Sequence, residues 1–303
     1  MNSLHLKSPA KLNLFLKIIR RRPPAGGEAT RQGRSDGYHE LVTLFHRISL
    51  FDTLRLKKIP TGFSLRSSNP ELSCGEDNLI TRAYRELQKV YPKLGGVSVY
   101  LTKKIPMGGG LGGGSGNAAT FLLGMKKLYK LPISRMQLVK IGARLGADVA
   151  FFIYDTPMAI GKGVGEKLRP VSSKVRHCFL LVLSSLGLNT RQVYQTLPRK
   201  LPAVSLTKAS RVATMLSSFL SRKNYRQAAP LLANDLEAPA FQLRPSIKQL
   251  IIKIKQQGVL SVQMSGSGPT VFAFMPSLAQ ARKLAKQIRR EEPDQQVVIC
   301  HSW

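Results

Sequence analysis

Carboxylates are scarce in this 303-residue chain: sixteen Asp and Glu stand against forty-seven Lys and Arg, for a formal net charge of +31. Cysteines number only three, Cys74, Cys178 and Cys300, far apart and without metal-ligand spacing. That excludes a disulfide framework and a thiolate zinc module, and fits free thiols in a reducing cytoplasm. No apolar run approaches the ~18 residues of a membrane span. Met1 to Leu6 show no charged leader ahead of an apolar stretch, so the expected location is cytoplasmic. There is no internal repeat of about 20–50 residues. What remains is ordinary: 43% hydrophobic and 21% charged residues, as in a globular protein large enough for one large or two ordinary domains.

The excess of positive charge admits a nucleic-acid partner, a basic proteome, or a field that steers a small polyanionic substrate. The basic residues are scattered, as at Arg20–Arg22, Lys103–Lys104, Lys126–Lys127 and Arg289–Arg290, and no RNA-binding aromatic motif accompanies them. Neither a nucleic acid nor a membrane is therefore the expected partner.

The most informative segment that is present runs from Pro106 to Asn117, with seven glycines between Gly108 and Gly116. It joins a strand-like run, Gly96 to Thr102, to a helix-like run, Asn117 to Lys130, where Phe121, Leu122, Met125 and Leu128 recur at helical spacing. Glycine lets successive backbone N–H groups face one anion, and the helix adds unpaired donors and the positive end of its dipole. A flexible linker would not sit between two apolar elements, so the segment reads as a phosphate loop. It is not a Walker loop, because no lysine follows the glycines before Lys126. Nor is it a dinucleotide loop, because no Asp or Glu lies between Glu86 and Asp148 to hold a ribose.

Five further constellations carry chemistry. Lys11 and Asn13 alternate with apolar residues and share one face of a strand, either as a solvated pair or as part of a site. Asp36-Gly37-Tyr38-His39 is a turn that presents two rings in tandem, structural or suited to a flat heterocycle. Asp148, the one carboxylate between Glu86 and Asp155, follows a helix stop among apolar residues. It needs a partner or a task there, and capping the next helix is compatible with catalysis. Met264-Ser265-Gly266-Ser267-Gly268 is a second glycine-rich turn, and Gly163-Val164-Gly165-Glu166 a small-residue turn of low specificity.

Strands are expected at Ala10–Ile19, Phe45–Lys57, Val97–Thr102, Phe179–Ser184 and Val271–Met275. Helices are expected at Asn78–Tyr91, Asn117–Lys130, Ser134–Leu145, Thr207–Ser221, Pro245–Gln257 and Ser277–Glu291, with Ser134 and Ser277 as N-caps and Gly146 and Gly258 as stops. The mixture is α+β, with a seam near residues 156–165 and domains expected at 1–160 and 161–303.

In this order the motifs S-P-A-K-L-N-L-F-L, D-G-Y-H-E-L, I-P-M-G-G-G-L-G-G-G-S-G-N-A-A-T, L-G-A-D-V, G-V-G-E, N-D-L-E (Asn234 to Glu237) and M-S-G-S-G resemble those of the GHMP kinase superfamily. P-A-K-L-N-L with D-G-Y-H is similar to the branch that serves the non-mevalonate isoprenoid route. The resemblance implies an α+β, two-domain GHMP kinase fold, with an N-terminal ribosomal-protein-S5-domain-2-like ATP-binding half and a C-terminal ferredoxin-like half. It implies a small-molecule kinase using ATP and Mg²⁺, with an acceptor alcohol that carries a cytidine diphosphate, acting as monomer or homodimer. Asp148 would be the catalytic base, with Lys11 beside it. Pro106, Met107, Gly108, Gly109, Gly110, Leu111, Gly112, Gly113, Gly114, Ser115, Gly116 and Asn117 would wrap the triphosphate, with Asn78 also on the nucleotide. Asn13, Tyr38, His39, Phe45, Thr190 and Tyr194 would bind the acceptor, and no resident metal site is implied. The chain departs from the pattern in Gly116, where a second serine is usual, in Ala150 for proline, in a longer Arg20–Ser35 segment, and in its charge.

Overall fold

In a computed structural model, residues 2–21, 39–184, 186–201, 204–259 and 261–303 are described. Tyr38 and most of the Arg20–Ser35 segment lie outside them.

The first half is built on two long antiparallel strands, β1 (Ser3–Arg21) and β2 (His39–Ile59). Both outrun the expected strands, because Leu4 at the start of β1 and Leu41, Val42 and Leu44 at the start of β2 are buried beyond the runs visible in sequence. β3 (Phe63–Ser67) and β4 (Gly96–Thr102) extend the sheet past one end of β2. β5 (Met158–Gly163) and β6 (Lys167–Val171) extend it past the other. Helices α1 (Leu79–Val90), α2 (Gly113–Tyr129), α3 (Arg135–Leu145) and α4 (Ala147–Tyr154) bury Tyr84, Phe121, Met125, Leu138 and Phe151 in one core with Leu54, Leu56, Val97 and Val99 of the sheet.

Ser134 caps α3 through a reciprocal box with Gln137, and Gly146 ends it. α2 starts at Gly113, one turn earlier than its propensity predicts. Close packing overrides the entropic cost of glycine there: a Cβ on Gly116 would lie 2.8 Å from the Pro9 carbonyl oxygen.

The second half holds β7 (Cys178–Leu183), α5 (Thr190–Gln195), α6 (Leu206–Leu220), α7 (Tyr225–Ala228), β8 (Ala233–Asn234), α8 (Glu237–Leu243), α9 (Pro245–Gln256), β9 (Val262–Met264), β10 (Val271–Met275), α10 (Leu278–Glu291) and β11 (Gln296–His301). The four antiparallel strands run β11-β7-β10-β9 across the sheet, the order of a ferredoxin-like unit with α10 between β10 and β11. Alternation sorts its side chains. Phe179, Leu181, Phe272 and Phe274 face the first sheet and α6, while Leu180, Val182, Val271 and Ala273 pack under α9 and α10.

The halves share contacts rather than a linker. β8 pairs in parallel with β1, and the 160/161 division falls inside β5, whose hairpin with β6 keeps the first sheet going to Val171. At the seam His46 and His177 meet with ring centroids 5.3 Å apart, both fully buried. Burial drives the His46 pKa down to about 4 despite its bond to the Arg47 carbonyl oxygen. Burial, with His46 and Lys223 nearby, drives His177 to about 3. The pair is neutral at ordinary pH.

Candidate active site

A cavity of about 1300 Å³ opens between the halves. Its floor is the glycine loop, where Gly108, Gly110 and Gly112 all take positive φ, 65°, 72° and 67°. At Gly110 glycine is obligatory, because a Cβ would stand 2.1 Å from the Ser265 carbonyl oxygen of the second glycine turn. The left-handed Gly112 opens α2 with no side-chain hydrogen bond at its N-terminus and no acidic residue in its first turn. The first N–H groups of α2, at Gly113, Gly114 and Ser115, therefore have no partner within the helix and border the cavity.

Lys11 leaves β1 beneath this loop and is 4% exposed. Its backbone N–H donates to the Leu111 carbonyl oxygen at 2.9 Å, which ties strand to loop. Its Nζ donates to Asn13 Oδ1 at 2.5 Å and to the Gly110 carbonyl oxygen at 3.0 Å, and lies 3.4 Å from Asp148 Oδ2. Asp148 stands in the first turn of α4 with its side chain 29% exposed toward the cavity. Residues far apart in sequence thus place a buried ammonium, a cavity-facing carboxylate and a cluster of backbone donors within a few ångströms of each other. A hydroxyl could be deprotonated there beside a bound phosphate chain.

The remaining expected residues distribute as follows. Asn13 donates from Nδ2 to Thr43 Oγ1 at 2.8 Å, which fixes its amide for Lys11. Phe45 stacks on Phe151 at 5.0 Å, with Lys11 Nζ 5.8 Å above its ring. His39 and Tyr194 lie with rings 5.1 Å apart on the cavity wall. Burial, then the Asp148 charge, push the Tyr194 hydroxyl pKa well up, so it stays protonated. Thr190 shares a 2.8 Å hydroxyl bond with Ser267 of the second turn. Asn78 caps α1 through Ile80 N and also lines the cavity, as do Pro106 to Ser115.

Gly116 is the one expected loop position absent from the cavity lining, while Asn117 belongs to it. Gly116 turns toward Pro9 and Ser8 of β1, so a serine Cβ would collide there rather than offer a hydroxyl to the cavity. Asn117 is 2% exposed and donates to Asp52 Oδ2 at 3.0 Å.

Asp52 had no motif to mark it. Fully buried, it accepts from Lys104 N at 2.6 Å and Ile105 N at 2.8 Å, and pairs with Lys103 Nζ at 2.9 Å. It anchors the chain where it enters the loop. Burial lowers the Lys103 pKa, partly offset by Asp52. Among the described residues no three His, Cys, Asp or Glu side chains converge as a metal site, and no helix is long and apolar enough to cross a membrane.

The profile of the GHMP kinases N terminal domain matches residues 78–156, and that of the GHMP kinases C terminal domain matches 215–294. The chain is 35% identical over 280 residues to the 4-diphosphocytidyl-2-C-methyl-D-erythritol kinase of Syntrophus aciditrophicus, covering 92% of each chain. It is 38% identical over 287 residues to the enzyme of that name from Polynucleobacter necessarius, covering 94% of this chain and 87% of that one. A crystal structure of 4-(cytidine 5'-diphospho)-2C-methyl-D-erythritol kinase superposes with a TM-score of 0.78 at 30% identity, over 98% of both chains.

Proposed function

The chain belongs to the GHMP kinases, in the 4-diphosphocytidyl-2-C-methyl-D-erythritol kinase family, and from that premise we propose how its cavity performs the transfer. It is an ATP-dependent kinase of the non-mevalonate isoprenoid pathway that phosphorylates the 2-hydroxyl of 4-diphosphocytidyl-2-C-methyl-D-erythritol.

The observation that carries the reading is the contact of Lys11 with Asp148 beside the uncapped start of α2. A tertiary alcohol is a poor nucleophile at neutral pH, so Asp148 takes its proton as general base. Lys11, held by Asn13 and the Gly110 carbonyl oxygen, orients that carboxylate and offsets the charge on the phosphoryl oxygens in flight. The loop from Pro106 to Ser115 grips the phosphates through backbone N–H groups, with Asn78 on the nucleotide side. Phe45, Thr190, Tyr194 and His39 hold the acceptor, with Tyr194 and His39 suited to flank its cytosine ring.

Lys11 Nζ stands 3.4 Å from the Asp148 carboxylate and so supplies a fixed positive charge beside it. The oxygen donors on the cavity lining, the Ser115 hydroxyl and the carboxylates of Asp148, Asp77 and Glu71, do not converge as a metal site among the described residues, and would suit a Mg²⁺ ion held chiefly by the nucleotide's own phosphates and water. When bound, that ion neutralises charge on the phosphate oxygens.

An ADP-release assay with the cytidylyl acceptor, mevalonate, homoserine and galactose tests the reading. Turnover is expected with the first alone. Turnover on another acceptor and none on the first would replace it with a different small-molecule kinase of the same fold.

A further inference from the structure

The segment Asn234-Asp235-Leu236-Glu237 carries no reacting group, yet two of its polar side chains, Asn234 and Glu237, hold the second glycine turn. Asn234 is 7% exposed, and its amide is fully used. Nδ2 donates to the Met264 carbonyl oxygen at 2.9 Å and the Gly266 carbonyl oxygen at 2.8 Å, while Oδ1 accepts from Leu236 N at 3.0 Å. Glu237 Oε1 accepts from Met264 N at 2.8 Å, so both backbone groups of Met264 are held from one short segment. Asp235 fastens the segment to β1, accepting from Ile18 N at 2.9 Å and pairing with Lys17 Nζ at 2.6 Å. β1 is the strand that carries Lys11.

The turn so gripped touches the reacting groups without slack. Ser265 Oγ donates to the Gly110 carbonyl oxygen at 3.1 Å and accepts from Asn13 N at 3.3 Å. The Gly110 oxygen is also one of the acceptors of Lys11 Nζ. A Cβ on Gly266 would lie 2.9 Å from Asn13 Oδ1 and 3.3 Å from Lys11 Nζ, so the turn's backbone lies directly over that pair. Displacing Gly266 or Ser265 therefore displaces the acceptors that aim Lys11 at Asp148.

We propose that Asn234 is a positioning residue for phosphoryl transfer, acting on Lys11 through the Met264–Gly268 turn; this rests on the kinase reading of the site. Its amide is the one common side-chain group that can donate twice to two carbonyl oxygens while accepting a backbone N–H. Aspartate there would face two carbonyl oxygens with lone pairs, and alanine would leave both unbonded in a buried place.

The test begins with wild-type turnover on the cytidylyl acceptor; if there is none, the kinase reading fails and not this inference. With turnover established, Asn234→Ala and Asn234→Asp are each expected to lower kcat about 10²-fold, the scale for small misplacement of a reacting group, while KM for ATP and for acceptor stays within about threefold. Ser265→Ala, which cuts the bridge but keeps the amide, should lower kcat in the same direction.

Lys11→Met supplies the background for a double-mutant cycle. Adding Asn234→Ala to it should cost far less than the sum of the two single effects, because both act on one alignment. If either Asn234 variant folds poorly, Ser265→Ala and its cycle with Lys11→Met decide. Full additivity, an unchanged kcat in Ser265→Ala, or a loss expressed only in KM would each overturn the proposal.

Discussion

The buried pair His46 and His177 makes the stability of the joint between the halves depend on mild acid. In the unfolded chain both imidazoles titrate near 6.5, whereas in the fold they hold off until about 4 and about 3. Between those values the unfolded state binds the protons and the folded state does not, so stability is complete above neutral pH and falls as pH drops. At ~1.4 kcal/mol per pH unit for each group, lowering pH from 7 to 5 removes about 2 kcal/mol per histidine, or about 4 kcal/mol for the pair. For a chain of this length that is a fall of about 6 °C in Tm, taking roughly 2 cal/mol/K of unfolding entropy per residue.

Calorimetric melting of the wild type and of His177→Phe and His46→Asn/His177→Phe at pH 7, 6 and 5 measures it. The readout is the slope with pH, which separates titration from any packing defect in the variants. The single variant should lose about half of the slope and the double variant nearly all of it. A double variant with the wild-type slope would refute the argument, and would place the acid sensitivity in other groups.

Three further outcomes follow from the site. Asp148→Asn should lower kcat by about 10² to 10⁴ while leaving nucleotide affinity nearly intact by calorimetric titration; retained turnover would remove Asp148 as base. Gly110→Ala should abolish turnover, because its Cβ would meet the Ser265 carbonyl oxygen at 2.1 Å, whereas Gly62→Ala, at φ 80° in open space, should cost only ~1 kcal/mol of stability. Equal activity in the two would show that the loop and the second turn need not touch. Asp52→Ala strands Lys103 and two backbone donors, and should destabilise by about 3–5 kcal/mol in urea unfolding; a change below ~1 kcal/mol would contradict its role as anchor.

What could be read from the chain alone was whatever local residue type dictates. The glycine loop declares itself because only glycine supplies its three positive φ angles. Asp148 stood out because an isolated carboxylate among Ala147, Val149 and Phe151 demands a partner. That the partner is Lys11 came from the motif resemblance, since no local rule joins positions so far apart. Asp52 is opaque for the same reason, an ordinary polar residue until distant backbone groups are brought against it, and Asn234 is visible only as part of the N-D-L-E motif, with no role attached. Propensity alone starts helix α2 at Asn117 because glycine is a poor helix former, and burial of Gly116 against Pro9 reverses that preference. β5 and β6 escaped notice because Gly161, Gly163 and Pro170 dilute the alternation that marks a strand.

The bare start of α2 has a thermodynamic consequence. A helix whose leading amides find no acceptor within the helix and no side-chain cap is unfinished until something anionic arrives, so the nucleotide's phosphates would serve as its missing first residue. Ligand and polypeptide then share one folding equilibrium, and apparent robustness tracks the logarithm of ligand concentration. Purified in chloride, this protein would be weaker than the same molecule in pyrophosphate at equal ionic strength. At equal ionic strength, the identity of the anion then changes the durability of the preparation.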